Sequence, residues 1–160
     1  MRYKPLLKLN WVQFRDKPPF NLPPPKTRAQ KKGVSYEQKV HDRLSKLYGL
    51  NYVPSQWVHY GNGGETHWAQ FDGLLFLDDP GRICLLEVKY SHTAEAYWQL
   101  ENCYLPLARR LFAASGREIC VCEIVKWYDC AVSFPCTPIL RDSLLDLQPG
   151  EFSVHILNRD

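Results

Sequence analysis

The chain has 160 residues, of which 45% are hydrophobic and 23% are charged. This length and composition predict one compact domain and exclude wholesale disorder. No uncharged apolar run reaches the roughly 18 residues that a membrane-spanning helix needs. The N-terminal segment MRYKPLLKLN also lacks the apolar core and cleavage site of a secretory signal. We therefore expect a cytoplasmic protein with no membrane partner.

The formal net charge of +3 is unevenly distributed along the chain. Residues 1–33 carry nine Lys and Arg residues against a single acid, Asp16, so the rest of the chain is mildly acidic. Six of the 12 prolines lie in the same segment and disfavour a long helix there. We predict a basic, Pro-rich N-terminal arm that either binds the phosphates of DNA or is only a solvated tail. The candidate nucleic-acid-binding side chains are Lys26, Arg28, Lys31 and Lys32.

Two parts of this arm differ in character. The segment LKLNWVQF, residues 7–14, is too apolar to remain in water. It is predicted to pack against the body of the protein or against a second subunit, which leaves a homodimer open. The tract PPPKTRAQKKG, residues 23–33, is the predicted flexible hinge. The folded domain is then predicted over residues 34–160.

The first half of that domain shows a helical pattern followed by strand patterns. Ser35 and Gln38 form a capping-box signature, and Gly49 supplies a helix stop. The apolar stripe between them consists of Tyr36, Val40, Leu44 and Leu47. Apolar runs bounded by turn signals predict four strands in the domain, over residues 55–60, 67–77, 83–90 and 118–128.

The remaining segments are mostly helical in pattern. Residues 93–115 are predicted to form a helix, with Thr93 as its N-cap and a kink at Pro106. A short helix is predicted over 139–147 and a last strand over 152–157. This order of elements predicts an α/β fold with a mixed central β-sheet flanked by helices.

Six cysteines are present, but the pattern does not favour disulfides or zinc. Four of them lie inside apolar stretches, where a free thiol behaves as a small buried hydrophobe. The sequence has no C-x-x-C pair, and Cys120 and Cys122 are spaced like alternate residues of a strand. We expect reduced core cysteines, with a zinc-stabilised interaction module as the less favoured alternative.

Charged residues fall at the end of two otherwise apolar strands. Glu87 and Lys89 are two residues apart, so both project from the same side of one strand. A hairpin connection over 78–82 places Asp72 near residue 88, and a bulge or a slightly tighter turn places it beside Glu87. Two such carboxylates repel one another, and a divalent cation removes that conflict. The sequence therefore predicts a Mg²⁺ or Mn²⁺ site, with Lys89 available to an anionic substrate.

The order Asp72, then Glu87-Val88-Lys89 at the end of an apolar strand, resembles the PD-(D/E)XK nuclease superfamily. The motifs Y-E-x-x-V, Q-F-D, L-L-E-V-K and Q-L-E-N, within residues 34–128, look most similar to its nuclease-related-domain and Holliday-junction-resolvase-like branches. Two departures from the family pattern stand out. Phe71 replaces the proline of the motif, and Cys103 replaces a tyrosine of the exonuclease-like members.

The resemblance implies a restriction-endonuclease-like core and Mg²⁺- or Mn²⁺-dependent hydrolysis of DNA, as an endonuclease in DNA processing, recombination or defence. Asp72 and Glu87, with the carbonyl of Val88, would bind the metal ion. Lys89 and Gln99 would be further catalytic residues. Lys89 would position the attacking water, and Gln99 would support the site from the following helix. The carboxylate of Glu37, on the first helix, would bind a second ion or its water. The alternative is a catalytically inactive nucleic-acid-binding or assembly protein that keeps the fold.

Two histidines adjoin these residues. His41 lies one helical turn after Glu37, so it either lines the site or, as we favour, has a hydrogen-bonded surface role. His92 directly follows the strand that carries Glu87 and Lys89. It is predicted to help start the following helix rather than to contact phosphate.

Overall fold

The structure is a computed structural model that describes residues 5–79, 81–131 and 137–158. Its strands are β1 (Leu9–Arg15), β2 (Tyr52–Asn62), β3 (Glu65–Leu77), β4 (Arg82–Ser91), β5 (Glu118–Trp127), β6 (Ile139–Leu140) and β7 (Phe152–Ile156). Its helices are α1 (Arg28–Tyr48), α2 (Ala94–Trp98) and α3 (Leu105–Leu111), and a π-helical segment (Gln99–Tyr104) joins the last two.

The strands form one seven-stranded sheet in the order β1-β2-β3-β4-β5-β7-β6. Neighbours from β1 to β4 are antiparallel, whereas β4, β5, β7 and β6 run parallel to one another. This arrangement confirms the predicted α/β class and its mixed sheet. No helix in the described ranges is long and apolar enough to cross a membrane.

Each face of the sheet is covered by a different helical segment. On one face α1 buries the predicted stripe of Tyr36, Val40 and Leu44, whereas Leu47 is 63% exposed and does not belong to it. On the other face the segment from α2 to α3 buries side chains that include Leu100 and Leu107. The ends of the central strands β3 and β4 are therefore enclosed from both sides.

The start of the first helix was predicted wrongly. It begins at Arg28, where the Thr27 side chain accepts from the Gln30 backbone N–H and the Gln30 side chain accepts from the Thr27 N–H. This reciprocal capping box replaces the predicted one at Ser35. The predicted hinge over 23–33 is thus helical from Arg28 onward, and the predicted boundary between residues 33 and 34 falls inside α1.

The apolar part of the N-terminal segment forms the edge strand β1, which pairs with β2 in antiparallel register. Leu9 and Val12 pack against the core on the α2–α3 face, and Phe14 contacts Phe112. Packing against the body of the same chain is therefore the arrangement that the structure shows for residues 9–15.

The predicted helix over 93–115 is interrupted but correctly placed. Thr93 caps α2 by accepting from the Ala96 N–H, as predicted. The wide π-helical turn comes just before Pro106, which lacks the N–H that a continuous α-helix requires there. The structure therefore accommodates this proline near the start of α3.

The remaining C-terminal predictions have mixed outcomes. The last strand is confirmed as β7, but the predicted helix over 139–147 is wrong because Ile139 and Leu140 form β6 and only residues 144–146 form a 3₁₀ turn. Four cysteines are free and buried, as predicted, and Cys136 lies outside the described residues. The buried thiols are Cys84, Cys103, Cys120 and Cys122.

Candidate active site

The candidate site lies where β3 and β4 separate. Their antiparallel register runs from the pair Leu77–Arg82 to the pair Gly73–Leu86, around a four-residue connection. Beyond this point the Asp72 carboxylate, rather than a backbone carbonyl, accepts from the Val88 N–H at 2.9 Å. The connection is thus one residue shorter than the five-residue hairpin, which confirms the predicted alternative of a tighter turn, and Asp72 reaches Glu87 without a bulge.

Glu87 is buried and incompletely satisfied. It is 3% exposed, its Oε1 lies 3.3 Å from Lys89 Nζ, and its buried Oε2 receives no hydrogen bond. Burial, followed by the charge of Asp72, raises the pKa of Glu87 well above its usual range. Ionisation of Glu87 is therefore costly in the absence of a cation.

Asp72 is perturbed in the same direction. Burial raises its pKa to about 7, with a further contribution from the charge of Glu37. Burial lowers the pKa of Lys89, but the charges of Glu87 and Asp72 outweigh it, so that pKa is raised and the ammonium stays charged. The site therefore contains two acidic side chains and the ammonium group of Lys89, and burial and mutual repulsion disfavour the ionisation of both acids together.

The donor set at this point fits magnesium or manganese. Within the described residues no three His, Cys, Asp or Glu side chains come together to hold a metal ion. Mg²⁺, however, is commonly held by only two carboxylates, with water and substrate phosphate completing its shell. Because the N–H and C=O of one strand residue point to the same side, the Val88 carbonyl also faces the gap beside Asp72. The oxygen of Glu87 that lacks a donor is suited to a cation.

Glu37 lies beside this pair but is held by its own neighbours. Its Oε1 is 3.3 Å from His41 Nε2, and His41 Nδ1 is 2.6 Å from the Tyr52 hydroxyl. Burial and then the charges of Asp72 and Glu37 raise the pKa of Tyr52, which keeps this phenol protonated. His41 is 7% exposed, so the predicted surface role is wrong. It links α1 to β2 and orients Glu37.

Gln99 lies on the opposite face of the sheet, at the first position of the π-helical segment, where it is buried. Cys103 follows one turn later, and its pKa is raised to about 11 by burial, with a smaller contribution from the charge of Glu87. The π-helical segment therefore covers the Glu87 side of the sheet.

Glu123 is a residue near the site that sequence reasoning missed. It pairs in parallel register with Glu87, so both project from the same face, and it is fully buried. Its two oxygens are taken by His92 Nδ1 at 2.5 Å and by the Thr93 N–H at 3.1 Å. Glu123 therefore positions the start of α2 and is not free to bind a metal. A charged residue in the middle of the apolar run EICVCEIVKW was the available signal.

The role of Glu123 in positioning the start of α2 is testable by mutation. Glu123→Ala leaves His92 and the Thr93 N–H without their acceptor, so we expect a loss of about 1–3 kcal/mol in the free energy of unfolding for each group left unsatisfied. Glu123→Gln retains an acceptor for Thr93 and a donor for His92, so its loss is much smaller. Urea denaturation of both variants measures the difference. Equal losses in the two variants would contradict the positioning role.

The raised pKa of Asp72 predicts how stability depends on pH. An acid whose pKa is higher in the folded state favours folding at low pH, and this contribution is lost as pH rises through about 7. In EDTA the melting temperature should therefore fall between about pH 4 and 7 and level off above, and Asp72→Asn should flatten that fall. Mg²⁺ should counteract it, because it binds the ionised carboxylates. Thermal melts across this pH range, with and without Mg²⁺, measure both effects.

The predicted nucleic-acid-binding side chains are divided between two surfaces. Lys26 lines a groove of about 570 Å³ that also contacts Glu37 and Lys89. Arg28, Lys31 and Lys32 instead line a depression on another side of α1. The structure therefore brings one of the four to the candidate site.

Comparison of the chain with family models, with curated proteins and with solved structures finds no match in any of the three. Assignment of a function therefore depends on the chemistry of Asp72, Glu87 and Lys89 and of their neighbours.

Proposed function

We propose that the protein is a Mg²⁺- or Mn²⁺-dependent deoxyribonuclease of the PD-(D/E)XK type. It hydrolyses DNA phosphodiester bonds as an endonuclease in DNA processing, recombination or defence. The observation that carries the proposal is the meeting of Asp72 and Glu87 beside Lys89 where β3 and β4 separate. Buried carboxylates that repel one another are costly, and a cation-dependent reaction gives them a role.

The two carboxylates and the Val88 carbonyl are the groups that would hold the metal ion. A bound divalent cation lowers the pKa of a coordinated water and stabilises negative charge on phosphate oxygen. Asp72 is oriented for this role by the Val88 N–H, and Glu87 by its ion pair with Lys89. These contacts reduce the reorganisation that the site needs when a substrate binds.

Lys89 is the group proposed to act on the reacting atoms. Its ammonium is 3.3 Å from Glu87, stays charged, and is partly exposed at the end of β4. It can therefore donate to the attacking water and stabilise the charge that develops on the phosphate. Glu37, oriented by His41, is placed to accept from a water at the same site, and Gln99 supports the Glu87 side.

DNA would reach the site through the groove lined by Lys26, Glu37 and Lys89. Its two lysines, Lys26 and Lys89, favour an anionic substrate. We propose that this activity is cytoplasmic. A homodimer stays a prediction that molecular-mass measurement in solution tests.

A catalytically inactive nucleic-acid-binding or assembly protein is the second candidate. It is favoured by the engagement of Glu37 with His41 and by the fact that, across residues 5–79, 81–131 and 137–158, no third acid joins Asp72 and Glu87. Such a protein would bind DNA with or without Mg²⁺ and cut none of it.

Cleavage of a substrate panel distinguishes the two candidates. Supercoiled plasmid, linear duplex, single strand and a four-way junction are incubated with Mg²⁺, Mn²⁺ or EDTA. The nuclease proposal expects nicking or cleavage of at least one DNA with either metal and none in EDTA. Binding of all four DNAs without cleavage under any condition would support the inactive protein instead.

A further inference from the structure

A second basic surface lies on α1, away from the candidate active site. Two adjoining depressions of about 360 Å³ each share Tyr36, Lys39 and Lys126 as lining residues. Together they form one cleft between α1 and the ends of β4, β5 and the C-terminal segment. We call this the basic cleft.

The charge of the basic cleft is nearly all of one sign. Seven Lys and Arg side chains line it against one acid, Asp42, whose Oδ1 accepts from Gln38. The whole chain carries a formal charge of only +3, so the remaining surface is net negative. A concave surface of one charge sign concentrates ligands of the opposite sign.

The cations of the basic cleft follow the axis of α1. They recur at steps of three, four and seven residues, which places them in one row on the helix: Arg28, Lys32, Lys39, Arg43 and Lys46. At 1.5 Å per residue the row is about 27 Å long. One strand of B-DNA presents a phosphate every 3.4 Å along its axis, so about eight phosphates span that length.

The opposite wall of the cleft contributes a further cation and an aromatic ring. Lys126 Nζ, on β5, lies 5.6 Å from the ring centroid of Tyr90, and Tyr36 of α1 packs edge-on against the same ring. The Tyr90 ring thus contacts Lys126 on the wall opposite the row on α1. A linear polyanion in the cleft would thus meet cations on both sides.

The basic cleft is separate from the groove that leads to the active site. At 100° per residue, Glu37 stands about 180° around α1 from Arg28. Tyr90, at the end of β4, lines both surfaces and so joins them around the N-terminal part of the helix. A nucleic-acid strand that leaves the active-site groove can therefore continue into the basic cleft.

We propose that the basic cleft binds the phosphodiester backbone of the DNA that flanks the reacting phosphate. A flat membrane surface fits a long concave row poorly and requires an apolar face beside it, whereas a nucleic-acid strand matches its length and charge. The choice of DNA rests on the proposed function, but binding is measured in EDTA and so does not depend on cleavage.

The salt dependence of binding tests the proposal. The variant Lys32→Gln, Lys39→Gln, Lys46→Gln removes three exposed cations of the row and none of the candidate site. The control Arg15→Gln, Lys17→Gln, Arg109→Gln removes the same charge from exposed positions elsewhere. Anisotropy of a labelled duplex in EDTA, over a range of NaCl concentrations, gives the slope of log K against log salt. We expect the cleft variant to lose nearly three units of slope, about 0.9 for each contact, and the control to lose none.

Three results would overturn this inference. The first is an unchanged slope in the cleft variant, and the second is an equal loss in the control. The third is a cleft variant that keeps its DNA slope but loses binding to vesicles of phosphatidylserine. Melting temperatures equal to that of the unmodified protein confirm that both variants fold. A protein that cuts no DNA but shows the expected slopes would remove the nuclease proposal and leave the basic cleft in place.

Discussion

Glu87→Gln is expected to abolish metal-dependent cleavage while raising the melting temperature of the metal-free protein. Glu87 is buried, one of its oxygens receives no hydrogen bond, and its pKa is raised by burial and by Asp72. An amide of the same shape removes the charge that the fold tolerates poorly, so the folded state gains stability at neutral pH. The same change removes a carboxylate that would hold the metal, so the catalytic loss should be at least ~10²-fold.

The opposite signs of these two effects make the experiment specific. A residue that only supports the fold loses stability and activity together, whereas Glu87→Gln should separate them. Thermal melts in EDTA and plasmid nicking with Mg²⁺ are measured on the same preparations.

Glu123→Gln is the matched control for this experiment. Glu123 occupies the same register on β5, but His92 and Thr93 use both of its oxygens. The Glu123→Gln variant should therefore retain the cleavage activity of the unmodified protein. Near-normal nicking by Glu87→Gln would show that the metal site is assigned to the wrong residue.

Lys89→Ala is expected to slow the chemical step by at least ~10²-fold with little effect on metal affinity, which is the scale for one preorganised electrostatic group. The ammonium lies 3.3 Å from Glu87, and in the proposed reaction it acts on the phosphate rather than on the metal ion. Single-turnover cleavage at saturating DNA isolates the chemical step. Calorimetric titration with Mn²⁺ reports the affinity for metal.

Lys17→Ala, at an exposed position that does not line the groove, is the control for loss of one positive charge. It should leave the single-turnover rate unchanged. If Lys89→Ala kept a normal rate but bound Mn²⁺ weakly, Lys89 would instead be a residue that organises the metal site.

The pairing of Asp72 with Glu87 could be predicted because it is set by local geometry. Both residues lie on strands joined by a short turn, and the two-residue period of a strand decides which side chains share a face. The alternation around Glu87 and Lys89 likewise placed them at the end of a buried strand. The sequence left open whether a bulge or a tighter turn brings the two together, since the turn residues allow several lengths, and the structure shows the tighter turn.

The N-terminal region shows where local signals compete. Prolines and lysines suggested an extended arm, but the capping box of Thr27 and Gln30 starts α1 inside that composition. The edge strand β1 depends on backbone partners about 50 residues further along the chain, on β2. Its apolar residues predicted that this segment is packed, but they did not identify the surface that it packs against.

Apart from β1 and β6, the sequence by itself determined the order of helices and strands, and it also determined the mixed sheet and the convergence of Asp72, Glu87 and Lys89. These features follow from periodicity and turn chemistry within short segments. Only the tertiary structure decided that Glu123 lies beside Glu87 and that Lys126 faces the basic row of α1. Those relations depend on the parallel register of β4 with β5 and on where α1 packs, and both are contacts between distant segments that no local pattern encodes.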